Sequence, residues 1–476
     1  MAHAQSGGEV TRTMFDDRDI VTAWATRELG HAALGDARLT QRLVKLVSAL
    51  SQEPATSIPD ACGSWSDTKA AYRFFDNDSV TADAITAAHR HATLTRVREH
   101  AVILAVQDTT SFNFTLHRQT QGMGPIGEAG FVGFFLHSCL AVSTAGIPLG
   151  ILASEQWARG AASKDSQRTR KHRPLEDKES ARWLRVMEAA TVDIPASTRV
   201  VMVADRESDI LDLFIRAEAT RHDLLVRAAY NRRLTAPTDG LVWPVLEAQP
   251  VLGRVSITVP RHDDTPTRDA TLSLRSAPIA LRPSKHRGPE HLPSPRITAL
   301  LAREEHPPAG QKPIEWMLYT TLPVHTVEDA ATYVQWYSYR WRSERYHYVL
   351  KSGCHVEDLQ LETRARLERA IAVYRVVAWR LLWLTYWSRQ RPDDPCTVAL
   401  SQSEWYALYA AHTRLAELPT ETVDLHTAVR WIAQLGGFLA RRHDGEPGVK
   451  VIWRGYRRLQ DLTAMWEILH PPDTSG

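Results

Sequence analysis

The sequence predicts an α/β protein in which a sheet lies between two helical regions. Three patterns support this fold class. Between about 17 and 90, apolar residues recur at the spacing of amphipathic helices. From Ala101 to Val226 the pattern changes to short apolar runs, which are typical of buried strands. From about Ile371 onward the pattern is helical again and rich in tryptophan.

The N-terminal pattern predicts a small helical domain at residues 1–90. Leu39, Leu43 and Leu46 share one face of a helix that Asp36 is placed to cap. The region also carries basic residues, among them Arg38, Arg42 and Arg73. They suit a nucleic-acid surface, and they equally suit the solvated face of any soluble helix.

The central region, residues 91–370, is predicted to contain the sheet. Its first apolar runs are followed by a helical pattern at 177–190 and a further run at 200–204, which gives the order βββαβ. After Arg227 the pattern becomes an alternation of apolar and polar residues, which predicts an inserted β subdomain at about 231–322. A helical pattern resumes near Val327, and residues 371–476 are predicted to form a helical C-terminal domain.

Composition excludes several classes of protein. The 476 residues carry a formal net charge of only +2, so affinity for nucleic acid must come from local basic patches, such as the run from Arg159 to Arg173. The four cysteines are far apart, which disfavours a zinc site or a disulfide framework. Because no apolar run has the length of a membrane helix and no signal peptide is recognisable, we expect a cytoplasmic protein without a membrane partner.

Three acids are the candidate catalytic residues. Asp108 and Asp205 each follow an apolar run, where functional groups collect at the carboxyl edge of open sheets, and Glu344 lies among cationic and aromatic residues. Carboxylates are the ligands that Mg²⁺ prefers, and two such ions can activate a hydroxyl and stabilise a leaving oxygen at a phosphodiester. Taken singly, each acid is also explained as a turn residue, a helix cap or half of a surface ion pair.

The spacing around Glu344 makes the interpretation more specific. Tyr337, Arg340, Glu344 and Lys351 are predicted to lie on one helix, at offsets of i, i+3, i+7 and i+14 that place them on one side. A carboxylate among cations and a phenol is a suitable surface for a DNA phosphate. With VADRESD around Asp205, the chain resembles the cut-and-paste DDE transposases of bacterial insertion sequences that carry a Tyr-Arg-Glu-Lys signature.

The resemblance extends to the segments ALGDARLTQRL, AAYRFF and LGGF. It implies a ribonuclease-H-like core in which Asp108, Asp205 and Glu344 bind two Mg²⁺ ions, with Mn²⁺ as a substitute. It also implies that Tyr337, Arg340 and Lys351 contact DNA phosphates. The further DNA-binding residues that it suggests are Arg227 near the transposon end, Trp316 stacked on a flipped base, and Arg38, Arg42 and Arg73 in the end-binding domain.

The implied partners are double-stranded DNA, both the inverted-repeat ends of a transposon and the target, and a second copy of the chain. In the family, a homodimer forms on paired ends, and each subunit cleaves the end that its partner's N-terminal domain holds. The implied reaction is nicking, hairpin formation, hairpin opening and strand transfer, in the nucleoid of a bacterial cytoplasm.

Two alternatives stay open at this point: a metal-dependent nuclease that cuts without joining, and a catalytically silent DNA-binding inhibitor of transposition. Arg345 and Tyr348 depart from the family pattern, in which an acid and a lysine often stand at these positions. The departures concern phosphate contacts and the preference for end sequence, not the class of reaction.

Overall fold

The structure is a computed structural model that describes residues 18–127, 130–160, 176–218, 222–235, 240–259, 267–283, 293–415, 418–419, 421–442 and 444–470. Five helices come first: α1 (Arg18–Leu29), α2 (Ala37–Gln52), α3 (Ile58–Cys62), α4 (Trp65–Asp76) and α5 (Ala82–Val97). Asp36 caps α2 by accepting a hydrogen bond from the backbone N–H of Arg38 at 2.8 Å, as the sequence predicts.

The central sheet begins with β1 (Val102–Asn113), β2 (Gly124–Pro125), β3 (Val132–Ser143) and β4 (Pro148–Trp157). It continues, after the helix α6 (Arg182–Thr191), with β5 (Arg199–Ala204) and, after α7 (Leu211–Glu218), with β6 (His222–Arg227). The core order is β4-β3-β1-β5-β6, in which β3 is antiparallel to β1 and β4, and β5 is parallel to β1 and β6. The predicted order βββαβ is therefore confirmed.

The inserted strands extend this same sheet. A small hairpin, β7 (Arg233–Leu234) and β8 (Gly240–Leu241), leads into the short helix α8 (Val242–Glu247). The strands β9 (Gly253–Val259), β10 (Arg268–Ala280), β11 (Arg296–Glu304) and β12 (Glu315–Thr320) then form an antiparallel array. Because β12 pairs with β6, the insertion and the core form one ten-stranded sheet.

Helices then cross back over the sheet. They are α9 (Val327–Ser338) and α10 (Trp341–Tyr348), followed by a π-helical turn at Val349–Gly353. The long helix α11 (Arg364–Gln390) is buried along most of its length. The chain ends with α12 (Gln402–Thr413), α13 (Leu425–Leu435) and α14 (Val449–Leu469).

Two glycines allow α13 and α14 to approach closely. A Cβ on Gly455 would lie 1.6 Å from the carbonyl oxygen of Ile432, and one on Gly436 would lie 1.8 Å from that of Val451. Any larger residue would force the two backbones apart. Gly436, in the LGGF segment, therefore packs against α14. Trp405 and Trp453 are buried in this region, which makes them core residues.

A buried polar cluster joins the N-terminal helices to the core. Glu28 of α1 accepts two hydrogen bonds of 2.9 Å from the guanidinium of Arg96 and lies 2.6 Å from Nδ1 of His89, both on α5. The Nε2 atom of His89 accepts a hydrogen bond from the backbone N–H of Ile151 in β4. The Arg96 guanidinium also stacks on Trp379 of α11 at 4.4 Å. One cluster thus fastens four elements together.

The predicted domain boundaries at 90 and 370 fall inside α5 and α11, so continuous helices connect the three regions. The domain limits stay predictions. None of the described helices is both long and apolar enough to cross a membrane. All four cysteines are free.

Candidate active site

Asp108 lies where the pairing between β1 and β5 ends. The parallel register stops at Val106 and Val203, so the Asp108 side chain projects just beyond the carboxyl end of β5. The prediction that the strand itself ends at this acid is wrong, because β1 continues to Asn113 through its antiparallel pairing with β3. Asp108 therefore lies beside the carboxyl end of β5, although its own strand, β1, continues past it.

Asp205 is the residue immediately after β5. It caps a 3₁₀ turn at Arg206–Ser208, because its Oδ1 accepts a hydrogen bond from the backbone N–H of Glu207 at 2.9 Å. Asp205 therefore does cap the turn, the role that the sequence suggests as an alternative to catalysis. It leaves the other carboxylate oxygen available for a ligand.

The charge of Asp108 influences the ionisation of Asp205. Burial, with a further contribution from the charge of Asp108, raises the pKa of the Asp205 carboxyl above its usual value. Burial also acts to raise the pKa of Asp108, but the contact with His347 and the charge of Arg340 outweigh it and hold that pKa below its usual value.

The third acid does not lie on the single helix that the spacing predicts. Tyr337 belongs to α9, Glu344 to α10 and Lys351 to the π-helical turn, with Arg340 at the junction. At this junction the backbone N–H groups bond to carbonyls three residues earlier, as from Arg340 to Tyr337 at 3.0 Å and from Ser343 to Arg340 at 3.0 Å. This tighter winding breaks the helix and displaces the side chains from the expected offsets.

Glu344 points to Arg340 in this structure. Its Oε1 accepts a hydrogen bond from Arg340 Nη2 at 2.5 Å, and 48% of its side chain is exposed. The charge of Arg340 acts on Asp108 and Asp205 as well. Among the residues that the structure describes, no three His, Cys, Asp or Glu side chains are grouped closely enough to hold a metal ion. Arg340 thus provides a positive charge to all three acids.

Two residues that the sequence analysis missed orient Asp108. The Ser343 hydroxyl donates to Asp108 Oδ2 at 3.1 Å, and Nδ1 of His347 lies 3.6 Å from the same atom. Both are on α10, so the helix that carries Glu344 is tied directly to β1. Their i, i+4 spacing was available in the sequence, but nothing there indicated that this face of the helix meets Asp108.

An aromatic cluster lies beside the acids. Trp316 is only 4% exposed, and its ring contacts those of Tyr337 and Trp341 at centroid distances of 4.9 and 5.6 Å. The ring is therefore covered in this state. Arg227, at the end of β6, faces Tyr337 and Arg340.

Lys351 contacts β1 three residues beyond Asp108. Its ammonium group donates to the carbonyl of Ser111 at 2.9 Å and lies 3.5 Å from Glu357. The four residues of the signature therefore lie on different elements. The predicted end-binding residues Arg38 and Arg73 are exposed on α2 and α4, far in sequence from the three acids. Arg42 lies 3.5 Å from Asp67 of α4.

The basic run after Arg159 falls at 161–175, which lies outside the described residues. Arg159 itself pairs with Glu179 at 2.8 Å. The Pro-rich loop predicted at 283–295 lies mostly outside them as well.

Comparison with protein families matches three parts of the chain. Residues 21–80 match a family described as Transposase DNA-binding, 177–379 match Transposase DDE domain, and 376–467 match Transposase Tn5 dimerisation domain. The sheet order and these matches define a DNA transposase with a ribonuclease-H-like core. The chain belongs to the Tn5-like DDE transposases.

Membership has direct consequences. The protein is an enzyme that cuts DNA and transfers strands with divalent metal ions, it binds DNA, and it forms a homodimer. Asp205 and Glu344 fall within the DDE match, whereas Asp108 precedes it. The assignment of Asp108 therefore depends on its position beside Asp205 and its link to α10.

Proposed function

We propose that Asp108, Asp205 and Glu344 are the catalytic acids of this transposase and that they act with two Mg²⁺ ions at the ends of a transposon. The observation that carries the proposal is the common charge environment of the three carboxylates. Asp108 raises the pKa of Asp205, after the larger effect of burial, and Arg340 faces both of them while it binds Glu344.

The donor set suits a hard divalent cation. Three carboxylates provide the oxygen ligands that Mg²⁺ and Mn²⁺ accept, and the raised pKa of Asp205 reflects burial and a neighbouring negative charge. When bound, the ions supply Lewis acidity that activates the attacking hydroxyl and stabilises the leaving oxygen. Glu344 must first leave Arg340, because one carboxylate cannot serve both at full strength.

Arg340, once released from Glu344, is placed to bind a DNA phosphate. Its planar guanidinium can hold two phosphate oxygens, which fixes the scissile strand relative to the acids. Arg227 lies near Tyr337 and Arg340, and Lys351 contacts β1 at Ser111. Arg227, Tyr337 and Lys351 are proposed to extend the phosphate-binding surface along the strand. Ser343 and His347 keep Asp108 oriented while the strand is bound.

The proposed sequence is nicking, attack of the freed 3'-hydroxyl on the opposite strand to form a hairpin, opening of the hairpin, and strand transfer into target DNA. All four steps are phosphodiester displacements, so one set of acids serves each of them. The proposed role for Trp316, stacking on a flipped base, requires the Tyr337 or Trp341 ring to move away from it.

End recognition is assigned to the N-terminal helices, with Arg38, Arg42 and Arg73 as phosphate contacts. The proposed dimer surface is on the last turns of α14. Several large apolar side chains there are exposed on one side of the helix: Leu462, Met465, Ile468 and Leu469. Each subunit is proposed to cleave the end that its partner holds, in the nucleoid of the cytoplasm.

The test is an assay on donor DNA that carries the element's own ends, with Mg²⁺ or Mn²⁺, comparing wild type with Glu344→Ala and Glu344→Gln. We expect wild type to produce nicked, hairpin and joined DNA, and both variants to bind the ends without cutting them. Loss of one metal-binding catalytic carboxylate is expected to reduce cleavage by at least about 1000-fold.

Each alternative has its own outcome in this assay. Nicks without hairpins or joined products from wild type would favour a nuclease. End binding without any cutting by wild type would favour the silent inhibitor. Cleavage by Glu344→Ala at the wild-type rate would remove Glu344 from the site.

A further inference from the structure

Tyr230 is an exposed aromatic residue on a rigid backbone. The residue is 64% exposed, whereas its backbone N–H and carbonyl groups are both hydrogen-bonded. The N–H groups of Ala229 and Tyr230 donate to Asp209 Oδ2 at 2.9 and 3.0 Å, and the Tyr319 hydroxyl donates to the Tyr230 carbonyl at 3.0 Å. These hydrogen bonds fix the backbone of Tyr230 while its ring stays exposed.

A cation is fixed beside the ring by the same carboxylate. Arg232 Nε donates to Asp209 Oδ1 at 2.8 Å, and Arg232 Nη2 donates to the Asp209 carbonyl at 2.6 Å. The Arg232 guanidinium then lies 5.6 Å from the centre of the Tyr230 ring. An exposed aromatic face beside a cation is the usual composition of a surface that binds single-stranded nucleic acid.

The position of this pair relates it to the catalytic acids. Tyr230 follows β6 by three residues, so its Cα lies within about 11 Å of that of Arg227. Arg227 faces Tyr337 and Arg340. Asp209, which organises the pair, follows Asp205 by four residues at the carboxyl end of the neighbouring parallel strand. Tyr230 and Arg232 follow β6, and Asp209 follows β5, so all three lie near the carboxyl ends of these parallel strands, as Asp205 does.

We propose that the Tyr230 ring stacks on an unpaired nucleobase of the transposon end, next to the scissile phosphate. The inference rests on the proposed function, because it needs DNA held at Arg227 and Arg340. Hairpin formation requires the duplex to be distorted at the cut, and an exposed ring on a fixed backbone can hold the displaced base. Trp316 can stack on a base only after the Tyr337 or Trp341 ring moves away from it, whereas the Tyr230 ring is exposed without such a movement.

The experiment places 2-aminopurine at each of the first three positions of a terminal-repeat duplex and measures its fluorescence with the full chain and Ca²⁺. One position is expected to be quenched by wild type and by Tyr230→Phe, because both keep an aromatic ring. Tyr230→Leu is expected to raise fluorescence at that position several-fold and, with Mg²⁺, to reduce hairpin yield about tenfold with nicking retained.

Trp316→Leu tests the alternative that Trp316, and not Tyr230, stacks on the base. If it abolishes quenching while Tyr230→Leu leaves both quenching and hairpin yield at wild-type values, the proposal for Tyr230 is overturned and the catalytic assignment stands. If wild type does not bind the ends at all, the proposed function fails first. Thermal unfolding of Tyr230→Leu checks the fold, which should be unchanged because the ring is mostly exposed.

Discussion

At Arg340, one guanidinium group faces carboxylates from three different elements: Asp108 of β1, Asp205 after β5 and Glu344 of α10. Three acids that lie close together repel one another without a cation, and in this chain Arg340 provides the positive charge. A metal ion must therefore compete with Arg340, and a DNA phosphate that attracts Arg340 assists the metal.

We predict that Arg340→Gln makes the protein more dependent on metal for its stability. Without the guanidinium, the repulsion between the acids is offset only when a divalent ion is bound. Thermal unfolding without and with saturating Mg²⁺ should show a metal-induced gain larger than that of wild type by about 1 kcal/mol.

Arg364→Gln is the matched control, because Arg364 also pairs with a glutamate four residues later, Glu368, at 3.1 Å. Its metal-induced gain should equal that of wild type. Equal gains for Arg340→Gln and Arg364→Gln would show that Arg340 does not neutralise the acids.

At the scale of the elements, the cluster of Glu28, His89 and Arg96 makes the attachment of the N-terminal helices dependent on pH. Burial holds the pKa of His89 below its usual range, and the Ile151 N–H that Nε2 accepts also requires the neutral ring. Burial raises the pKa of Glu28, but His89 and Arg96 outweigh it and hold it at about 2. Arg375 of α11 adds a further positive charge near His89.

The sign of the effect follows from proton uptake on unfolding. Unfolded His89 binds a proton below about pH 6.5, whereas the folded ring does not, so stability falls as the pH drops below that value. Glu28 adds to this loss between pH 4.5 and about 2, because only the unfolded carboxylate is protonated there. Each proton taken up on unfolding lowers stability by about 1.4 kcal/mol per pH unit.

We predict that His89→Gln, which keeps an acceptor for Ile151 but cannot be protonated, loses less stability between pH 7 and 5 than wild type. Urea unfolding at each pH measures the difference. His306→Gln, at an exposed position, should follow wild type. A wild-type slope in His89→Gln would mean that His89 does not titrate on unfolding.

The elements were more predictable from sequence than their exact ends. Apolar runs identified the strands and their order, because burial on both faces leaves a strong pattern. The extent of β1 beyond Asp108 was not predictable, since it depends on pairing with β3, which is distant in sequence. The break at Arg340 was missed for a related reason. The i, i+3 spacing fits both an α-helix and a 3₁₀ turn, so side-chain types alone did not distinguish them.

The candidate site was predicted from single residues whose chemistry is recognisable. Asp108, Asp205 and Glu344 were predicted from residue type and from the resemblance that their neighbours support, and their catalytic roles stay predictions. The contacts of Ser343 and His347 with Asp108 were not, because they require the relative placement of α10 and β1. The burial of the Trp316 ring could not be predicted from the sequence either, because the rings that cover it belong to α9 and α10.

At the scale of the whole molecule, we predict that two inactive variants restore cleavage when mixed. Glu344→Ala is expected to keep end binding but to lose a catalytic acid, and the triple variant Arg38→Ala, Arg42→Ala, Arg73→Ala is expected to keep the acids but to bind ends weakly. If one subunit cuts the end that its partner holds, the mixture should cut donor DNA that neither variant cuts alone. Gel analysis of end cleavage measures this.

Cleavage in the mixture should depend on dimerisation. Adding Ile468→Glu to both variants places charges on the exposed apolar side of α14 and should abolish the recovery. Absence of recovery in the original mixture, with end binding by Glu344→Ala intact, would indicate that each subunit cuts the end it holds itself.

The buried cluster around Glu28 limits how this enzyme could be retargeted. The helix α5 is joined to β1 by only the four residues 98–101, and Glu28 contacts Arg96 and His89 on that helix. In the described part of the chain, the N-terminal helices are therefore not attached to the core by a long linker. A foreign recognition module fused in front of β1 would lack these contacts and hold its DNA at an arbitrary angle to the acids. A chimera should retain α1 and α5 and exchange only the intervening helices.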